Sequence, residues 1–250
     1  ISSEKREIEL KYDHYQSKYD AALLHEVGDS PYVENNKAAL LKTYSGKGQN
    51  LNLLKTKIKD AQELDFQNIC PYCGILTPNS TDHYIPKDTY PEYAVLALNL
   101  VPCCIQCNSK KSEFWKVGSG RGIINYYLDP IPVVEYLMCS VEYDGRIPRV
   151  TFRVSNDHLI DSVLFSTIEI HYQKLDLLSR FSDSSNDEIT NILDSLHSFA
   201  ENSTHEEIIS MLNVNRTKRI RRYGINHWRC ALLKGLAESQ TFCEMAAVGT

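Results

Sequence analysis

The stretch from Cys70 to Lys111 decides the fold around it and reads CPYCGILTPNSTDHYIPKDTYPEYAVLALNLVPCCIQCNSKK. Two C-x-x-C pairs bracket this stretch, and their members are Cys70, Cys73, Cys104 and Cys107. Each pair can form a tight knuckle, and four thiolates together fill the coordination sphere of a tetrahedral zinc ion. Because no coordination position stays open, the sequence predicts a structural zinc that holds a short polar segment rigid.

One further cysteine leaves the ligand set open, because Cys103 directly precedes Cys104 in the pattern C-C-x-x-C. Either residue is placed to act as a ligand beside Cys107. The spacing of the first pair is matched by Cys104 and Cys107, and this symmetry favours Cys104 as the ligand.

The composition is that of a folded chain with one elaborated domain or two small ones. Of its 250 residues, 42% are apolar and 24% are charged, so the chain can bury a core without extra staples. No run of about 18 or more apolar residues appears, so no membrane span is expected. The first residues lack the basic-then-apolar pattern of a secretory signal, and the clustered cysteines indicate metal binding in a reducing compartment, the cytoplasm.

A second group of polar residues lies between and just after the cysteine pairs. Asp82 and His83 are adjacent, and a carboxylate beside an imidazole offers a hard oxygen ligand for Mg²⁺ and a base with a near-neutral pKa. Strand alternation would point the two side chains in different directions, so one can hold a metal while the other reaches a water. Asn108 adds a neutral oxygen directly after the last cysteine. Lys111 lies one helical turn further on, so it can face the same site as Asn108 and contact a phosphate group there.

The combined pattern C-x-x-C, D-H-x-x-P, N-L and C-x-x-C-N-x-x-K closely resembles the zinc-containing HNH endonucleases, whose core is a ββα-metal hairpin and helix. The resemblance covers roughly residues 66 to 116. It implies a phosphodiester hydrolase that acts on nucleic acid, with the four paired cysteines on structural zinc. In this resemblance His83 is the general base that activates water, and Asp82 and Asn108 bind the catalytic divalent metal.

The resemblance also assigns roles to two other residues and shows one departure from the family. Asn99 corresponds to the middle Asn, which steadies the loop that carries the base, and Lys110 or Lys111 adds positive charge at the phosphate. Many members have His where this chain has Asn108. An amide oxygen in place of an imidazole nitrogen favours Mg²⁺ or Mn²⁺ over softer ions.

The fold class expected is α+β and mainly helical, with the ββα-metal core and its four-cysteine structural zinc embedded between helical flanks. The predicted regions are a helical segment over 1–65, the nuclease core with its zinc knuckles over 66–120, and a β-hairpin followed by helices over 121–250. In the first region, apolar residues recur at helical spacing. They predict a helix with the stripe Ile8, Tyr12, Tyr15, Tyr19 and Leu23, a helix over Asn35–Thr43 ended by Gly46–Gly48, and a helix with Leu51, Leu54, Ile58, Ala61 and Leu64 inward.

Local patterns also predict elements in the last region. Alternating residues over 141–143 and 150–154 indicate a hairpin, with Asp144-Gly145 between its strands. Thr204 and Glu207 form a capping box before a short helix. A final helix is expected from Asn226 towards Glu244.

The net charge of −5 neither supports nor excludes a nuclease. Affinity for nucleic acid rests largely on Lys and Arg contacts, so the positive charge must be local or a partner must supply it. A stand-alone restriction-type DNase would need a local basic surface to bind DNA, and the densest basic run of the sequence could supply it. Alternatively, that run is only the solvent-exposed face of a helix. That run comprises Arg216, Lys218, Arg219, Arg221 and Arg222. A non-catalytic zinc module that binds nucleic acid or protein is a further alternative.

The leading hypothesis places the enzyme in a complex. An acidic chain with helical flanks around a minimal HNH core is similar to the HNH subunits of bacterial anti-phage systems, such as the Septu-type subunit and its retron-associated forms. That resemblance implies an effector nuclease with an ATPase partner that supplies substrate binding and control. The sequence leaves open whether the substrate is DNA or RNA.

Overall fold

The computed structural model describes residues 3–32, 34, 36–45, 49–143, 148–199 and 203–248. Helices account for 54% of it and the strands form small antiparallel sheets, which confirms the α+β, mainly helical class. The chain divides into two compact units: Ile1–Ile131 with Ser166–Leu175, and Pro132–Phe165 with Asp176–Thr250. None of the helices in these described ranges is long and apolar enough to cross a membrane.

The elements of the first unit precede those of the second, except for one helix that is divided between them. The first unit holds α1 (Ser3–Asp20), α2 (Lys37–Ser45), α3 (Gln49–Asp60), β1 (Ser80–His83), β2 (Leu100–Cys103), α4 (Ile105–Lys111), β3 (Lys116–Val117) and β4 (Gly120–Arg121). The chain then forms β5 (Leu137–Glu142), β6 (Arg149–Val154), α5 (Ser162–Lys174), α6 (Leu177–Phe199), α7 (His205–Tyr223), α8 (Trp228–Glu238) and α9 (Gln240–Val248). The greater part of α5, from Ser166 on, belongs to the first unit.

The centre of the first unit is a ββα arrangement. Strand β1 pairs antiparallel with β2, so that Ser80 lies opposite Cys103 and His83 opposite Leu100. Helix α4 begins one residue after β2, because Cys104 takes an extended conformation and caps the helix. The sixteen-residue connection between the strands contains two short 3-10 turns, Pro91–Tyr93 and Ala97–Asn99.

The N-terminal helix is anchored to this arrangement through Tyr15, which is fully buried. Its ring packs edge-on against Tyr93 with the centroids 5.0 Å apart, and its hydroxyl donates to Asn99 Oδ1 at 3.2 Å. Tyr15 belongs to the predicted apolar stripe of α1. The helix ends before Leu23, where Ala22 adopts a left-handed φ of 58°.

The ends of α2 and α3 decide two predictions for the N-terminal region. Leu64 is 83% exposed and Ala61 is exposed as well, so their predicted inward positions are wrong, because α3 ends at Asp60 and the helical spacing no longer applies beyond it. Helix α2 matches the second predicted helix, but Asn35 and Gly46–Gly48 lie outside the described residues.

The second unit contains the predicted hairpin. Strands β5 and β6 pair antiparallel with Val141 opposite Val150, which confirms the pairing; the predicted turn at Asp144-Gly145 lies outside the described residues. Helix α8 packs against β5. At that contact a Cβ added to Gly235 would lie 2.8 Å from the carbonyl oxygen of Cys139, so only glycine allows the helix to approach the strand this closely.

The C-terminal helices follow local capping signals. The capping box is confirmed, since Glu207 N donates to Thr204 Oγ1 and Thr204 N donates to Glu207 Oε2, although α7 is a long helix of 19 residues. The prediction of one final helix is wrong, because Ser239 interrupts it with an extended conformation. The Ser239 hydroxyl accepts from Phe242 N and so caps α9 instead.

We expect Gly235→Ala to lower the free energy of unfolding by about 1–3 kcal/mol, because the added methyl group must displace the Cys139 backbone. In an unobstructed helix the same change would raise it by up to about 1 kcal/mol, so the sign is diagnostic. Urea denaturation measures the difference. Gly28→Ala is the control, since a Cβ there meets nothing within 4 Å. A Gly235→Ala variant as stable as the wild type would contradict the close approach.

Candidate metal centre and active site

Four cysteine side chains meet beneath the ββα arrangement. The Sγ atoms of Cys70, Cys73, Cys104 and Cys107 all lie within 4.8 Å of one another, and all four residues are buried. The Sγ atoms of Cys73 and Cys104 are 3.9 Å apart. A tetrahedron of sulfurs about 2.3 Å from a zinc ion has edges of about 3.8 Å, so the cluster can hold a structural metal such as zinc.

Backbone N–H groups donate to two of the four clustered sulfurs. Cys107 N donates to Cys104 Sγ at 3.4 Å, and Ile75 N donates to Cys73 Sγ at 3.5 Å. Hydrogen bonds from Cys107, Cys70 and Cys73, in that order, lower the pKa of the Cys104 thiol. A hydrogen bond to the charged form favours it, and the thiolate is the form that binds metal.

The structure distinguishes the two adjacent cysteines. Cys104 lies in the cluster, whereas Cys103 is the last residue of β2 and is not among the clustered sulfurs. Burial raises the pKa of the Cys103 thiol to about 12, so it behaves as an inert core thiol.

Asp82 forms a buried ion pair on the inner side of β1. Its Oδ1 accepts from Lys111 Nζ at 3.0 Å, and its Oδ2 accepts from the Tyr72 hydroxyl at 2.8 Å. Lys111 also donates to the carbonyl oxygen of His83 at 2.9 Å. The pair therefore joins three segments: the first cysteine knuckle, strand β1 and the end of α4.

This position differs from the phosphate contact that the sequence suggested for Lys111. The side chain of Lys111 is 0% exposed, and its ammonium is directed at Asp82 and the strand backbone. Burial raises the pKa of Asp82 and lowers that of Lys111, and the attraction between the two opposes both shifts. Lys111 thus acts on the carboxylate of Asp82, and it does not reach the surface.

His83 points to the other side of β1, as strand alternation predicts. Its Nε2 lies 2.9 Å from the carbonyl oxygen of Ala94. Because a carbonyl can only accept, Nε2 must carry the proton, and Nδ1 keeps a lone pair. The edge of the ring meets Tyr44 of α2, with the ring centroids 4.4 Å apart.

The electrostatics at His83 favour the neutral imidazole. Desolvation is the largest cause that lowers its pKa, to about 4; Lys87, Lys111 and Lys55 lower it further, and the hydrogen bond to Ala94 opposes them. The neutral form is the one that can accept a proton. This pKa lies below the near-neutral value expected from the sequence, because burial disfavours the charged ring, and the imidazole is unprotonated at neutral pH.

Asn99 holds together the loop that follows His83. Its Oδ1 accepts from Ile85 N at 2.7 Å and from the Tyr15 hydroxyl, and its Nδ2 donates to the carbonyl oxygens of Ile85 and Tyr93. Both lone pairs and both amide protons are in use, so the buried side chain is fully satisfied. Asn99 thus ties one end of the loop to the other without facing the cleft.

Asn108 faces a cleft that also contains Asp82 and His83. Its Nδ2 donates to Ser80 Oγ at 2.7 Å and to the carbonyl oxygen of Thr81 at 3.4 Å, which turns the amide nitrogen towards β1. Among the described residues no donor is hydrogen-bonded to its Oδ1. The cleft has a volume of about 720 Å³. Its wall also includes α2 and α3, through Tyr44, Lys55, Ile58 and Lys59.

Three residues near Asp82 and His83 were not predicted from the sequence: Tyr72, Tyr44 and Lys55. Tyr72 lies inside the first C-x-x-C pair, so its position next to a metal knuckle was the one available signal. Tyr44 and Lys55 lie on separate helices far from the motifs, and only folding brings them to His83. No local pattern could have found them.

The densest basic run of the sequence lies on α7, in the second unit, and part of it is neutralised there. Arg216 forms an ion pair with Glu135. Arg219 Nη1 lies 2.7 Å from Glu188, which also pairs with Arg229. These internal partners compete with any phosphate for the two arginines.

Comparison with known proteins finds short stretches of similarity. The chain is 39% identical over 62 residues to protein ea31 of Escherichia phage lambda, which is 24% of this chain and 21% of that protein. It is 41% identical over 49 residues to Septu protein PtuB of Bacillus thuringiensis, 18% of this chain and 19% of that protein. The similarity thus spans about a fifth of these curated relatives. No family model matches the chain, and no solved structure matches it.

We expect Cys104→Ser to lose bound zinc and Cys103→Ser to keep it, because only Cys104 belongs to the sulfur cluster. Metal content per chain, measured by mass spectrometry on protein purified without chelator, tests this. Cys103→Ser is the matched control at the neighbouring position. Zinc retained by Cys104→Ser but lost from Cys103→Ser would assign the ligand role to Cys103.

We expect Lys111→Met to lower the free energy of unfolding by about 3–5 kcal/mol, because it leaves the Asp82 carboxylate buried without its cation. Adding Asp82→Asn to this variant removes the unpaired charge and restores part of the loss. A double-mutant cycle by urea denaturation measures the coupling between the two residues. Strictly additive effects would show that the ion pair contributes nothing.

Proposed function

We propose that this chain is a metal-dependent endonuclease of the HNH type that hydrolyses phosphodiester bonds of nucleic acid. The observation that carries the proposal is the placement of His83: the Ala94 carbonyl holds its Nε2–H, and Asp82 and Asn108 line the same cleft. A base, a carboxylate and an amide oxygen in one cleft are the groups that hydrolysis of a phosphodiester needs.

In this proposal His83 takes a proton from the attacking water through Nδ1. The hydrogen bond to Ala94 fixes the orientation of the ring and keeps the proton on Nε2. Asn99 contributes indirectly, since it ties the loop that supplies the Tyr93–Ala94 backbone to Ile85. Asn99 is thus a positioning residue.

Asp82 and Asn108 are the residues that would hold the catalytic ion. Tyr72 and Lys111 donate to different oxygens of the Asp82 carboxylate, while Asn108 directs its Nδ2 at Ser80 and so leaves Oδ1 for a metal. Carboxylate and amide oxygens are the hard ligands that Mg²⁺ and Mn²⁺ prefer. A bound ion supplies the positive charge that stabilises the developing negative charge on the phosphate. Lys111 orients Asp82 for this role.

The biological setting proposed is bacterial anti-phage defence, in the cytoplasm and in complex with an ATPase subunit. The support is the 41% identity to Septu protein PtuB, which covers 18% of this chain. The pairing of Arg216 and Arg219 with carboxylates also favours a partner over a stand-alone DNase that grips its substrate with that run.

We expect the purified chain to nick plasmid DNA or to cleave total RNA with Mg²⁺ or Mn²⁺, and His83→Ala to lower the rate by roughly 10²- to 10⁴-fold. Using both polymers identifies the substrate. His158→Ala is the matched control, because His158 is exposed and belongs to the second unit. An EDTA arm tests the metal requirement, with zinc content measured alongside so that loss of structural zinc is not mistaken for loss of the catalytic ion.

Equal cleavage by the wild type and His83→Ala would reject the proposed base. If the zinc-bound chain is inactive on both polymers, alone and with its co-purified ATPase partner, the non-catalytic zinc module is favoured instead. If the isolated chain is inactive but its complex with the ATPase partner cleaves nucleic acid, the defence setting is supported.

A further inference from the structure

The N-terminal helices form part of the wall of the cleft that also contains Asp82, His83 and Asn108. Lys55, Ile58 and Lys59 of α3 line the cleft together, at the i, i+3 and i+4 spacing of a single helix face. Helix α3 also packs against β2, the strand paired with the one that carries His83. The flank is therefore part of the site and not an appendage to it.

A chain of contacts connects α3 to the proposed base. Lys55 Nζ lies over the ring of Tyr44, 4.6 Å from its centroid, and the Tyr44 ring in turn meets His83. The Lys55 ammonium thus lies two contacts away from the imidazole. The electrostatic effect agrees with this geometry, since Lys55 is among the groups that lower the pKa of His83.

The charges that line the cleft leave these lysines in excess. Lys87 pairs with Asp88 at 2.8 Å, and Asp82 pairs with Lys111. Among the described residues, neither Lys55 nor Lys59 forms an ion pair. Of the charged residues of the lining, these two lysines and Glu113 remain without an ion-pair partner there, so the α3 side carries net positive charge in a chain of net charge −5.

We propose that Lys55 and Lys59 bind the phosphodiester backbone of the nucleic acid and hold the scissile phosphate beside His83. This inference rests on the proposed nuclease function for the identity of the polymer. Two ammonium groups one helical turn apart match the repeated charges of a backbone, and such contacts fix position without reading bases. The two lysines are positioning residues: they take over the phosphate contact that the buried Lys111 cannot make.

The test compares two double variants with the same change in charge. Lys55→Gln with Lys59→Gln removes the cleft lysines, whereas Lys42→Gln with Lys57→Gln removes exposed lysines of α2 and α3 that do not line the cleft. Each pair is placed in the His83→Ala background. Fluorescence anisotropy then measures the affinity for short labelled duplex DNA, single-stranded DNA and single-stranded RNA over a series of salt concentrations.

We expect the cleft variant to bind its preferred polymer about tenfold more weakly, with the salt slope reduced by about 2, and the control variant to match its parent. Replacing both cleft lysines by arginine should restore binding. In the otherwise wild-type protein, the glutamine variant should raise KM and leave kcat within about twofold, because uniform binding is lost and the base is intact.

Three outcomes overturn the inference: equal weakening by both double variants, no change in either, or no binding of any of the polymers by the His83→Ala parent. The nuclease proposal is judged separately. Binding that depends on Lys55 and Lys59, with no metal-dependent cleavage by the chain alone or with its ATPase partner, would support the phosphate contact of the two lysines and reject the nuclease. Metal-dependent cleavage with an unchanged KM in the cleft variant would support the nuclease and reject the phosphate contact of Lys55 and Lys59.

Discussion

The clustering of four thiols within 4.8 Å of one another is the constraint on which the rest of the site depends. It joins the turn that contains Tyr72 to the start of α4, two segments about 30 residues apart in the chain. With those ends fixed, the tyrosine hydroxyl and Lys111 both reach Asp82. A metal held by four sulfurs stabilises such a small arrangement because its binding energy adds directly to folding.

The buried ion pair between Asp82 and Lys111 also shapes the site, and it contributes more to the geometry of the site than to its stability. Burying two charges costs several kcal/mol of desolvation per ion, roughly offset by their attraction, so such a pair is weak evidence for net stabilisation. What it does secure is the orientation of a carboxylate that strand β1 would otherwise leave free to rotate. The fully satisfied Asn99 does the equivalent for the loop beyond His83. Both sides of the strand are therefore held by buried polar contacts.

Under the proposed function, an acidic chain would act on a polyanion through local positive charge. The basic residues of α7 are partly engaged with carboxylates in their own unit, whereas α3 directs two lysines into the cleft. Local charge near the reacting groups matters more than net charge, because screening in salt solution limits exposed interactions to about 8–10 Å. The N-terminal flank thus has a chemical role in the proposed mechanism, beyond completing the core.

The sequence by itself determined the features that follow local rules. The two C-x-x-C pairs, the Asp82-His83 pair on a strand, the β5–β6 hairpin and the capping box of α7 depend on residues close in the chain, so spacing and residue type were sufficient. The break at Ser239 and the exposure of Leu64 escaped, because helical periodicity alone says little about where a helix ends.

Only the tertiary structure decided which of Cys103 and Cys104 joins the cluster and that Lys111 pairs with Asp82. It also decided that Tyr44 contacts His83 and that Lys55 lies over Tyr44. These contacts join residues that lie far apart in the chain. Packing and the cost of burying an unpaired charge select the partner of each residue. Neither effect can be inferred from residue type and local spacing.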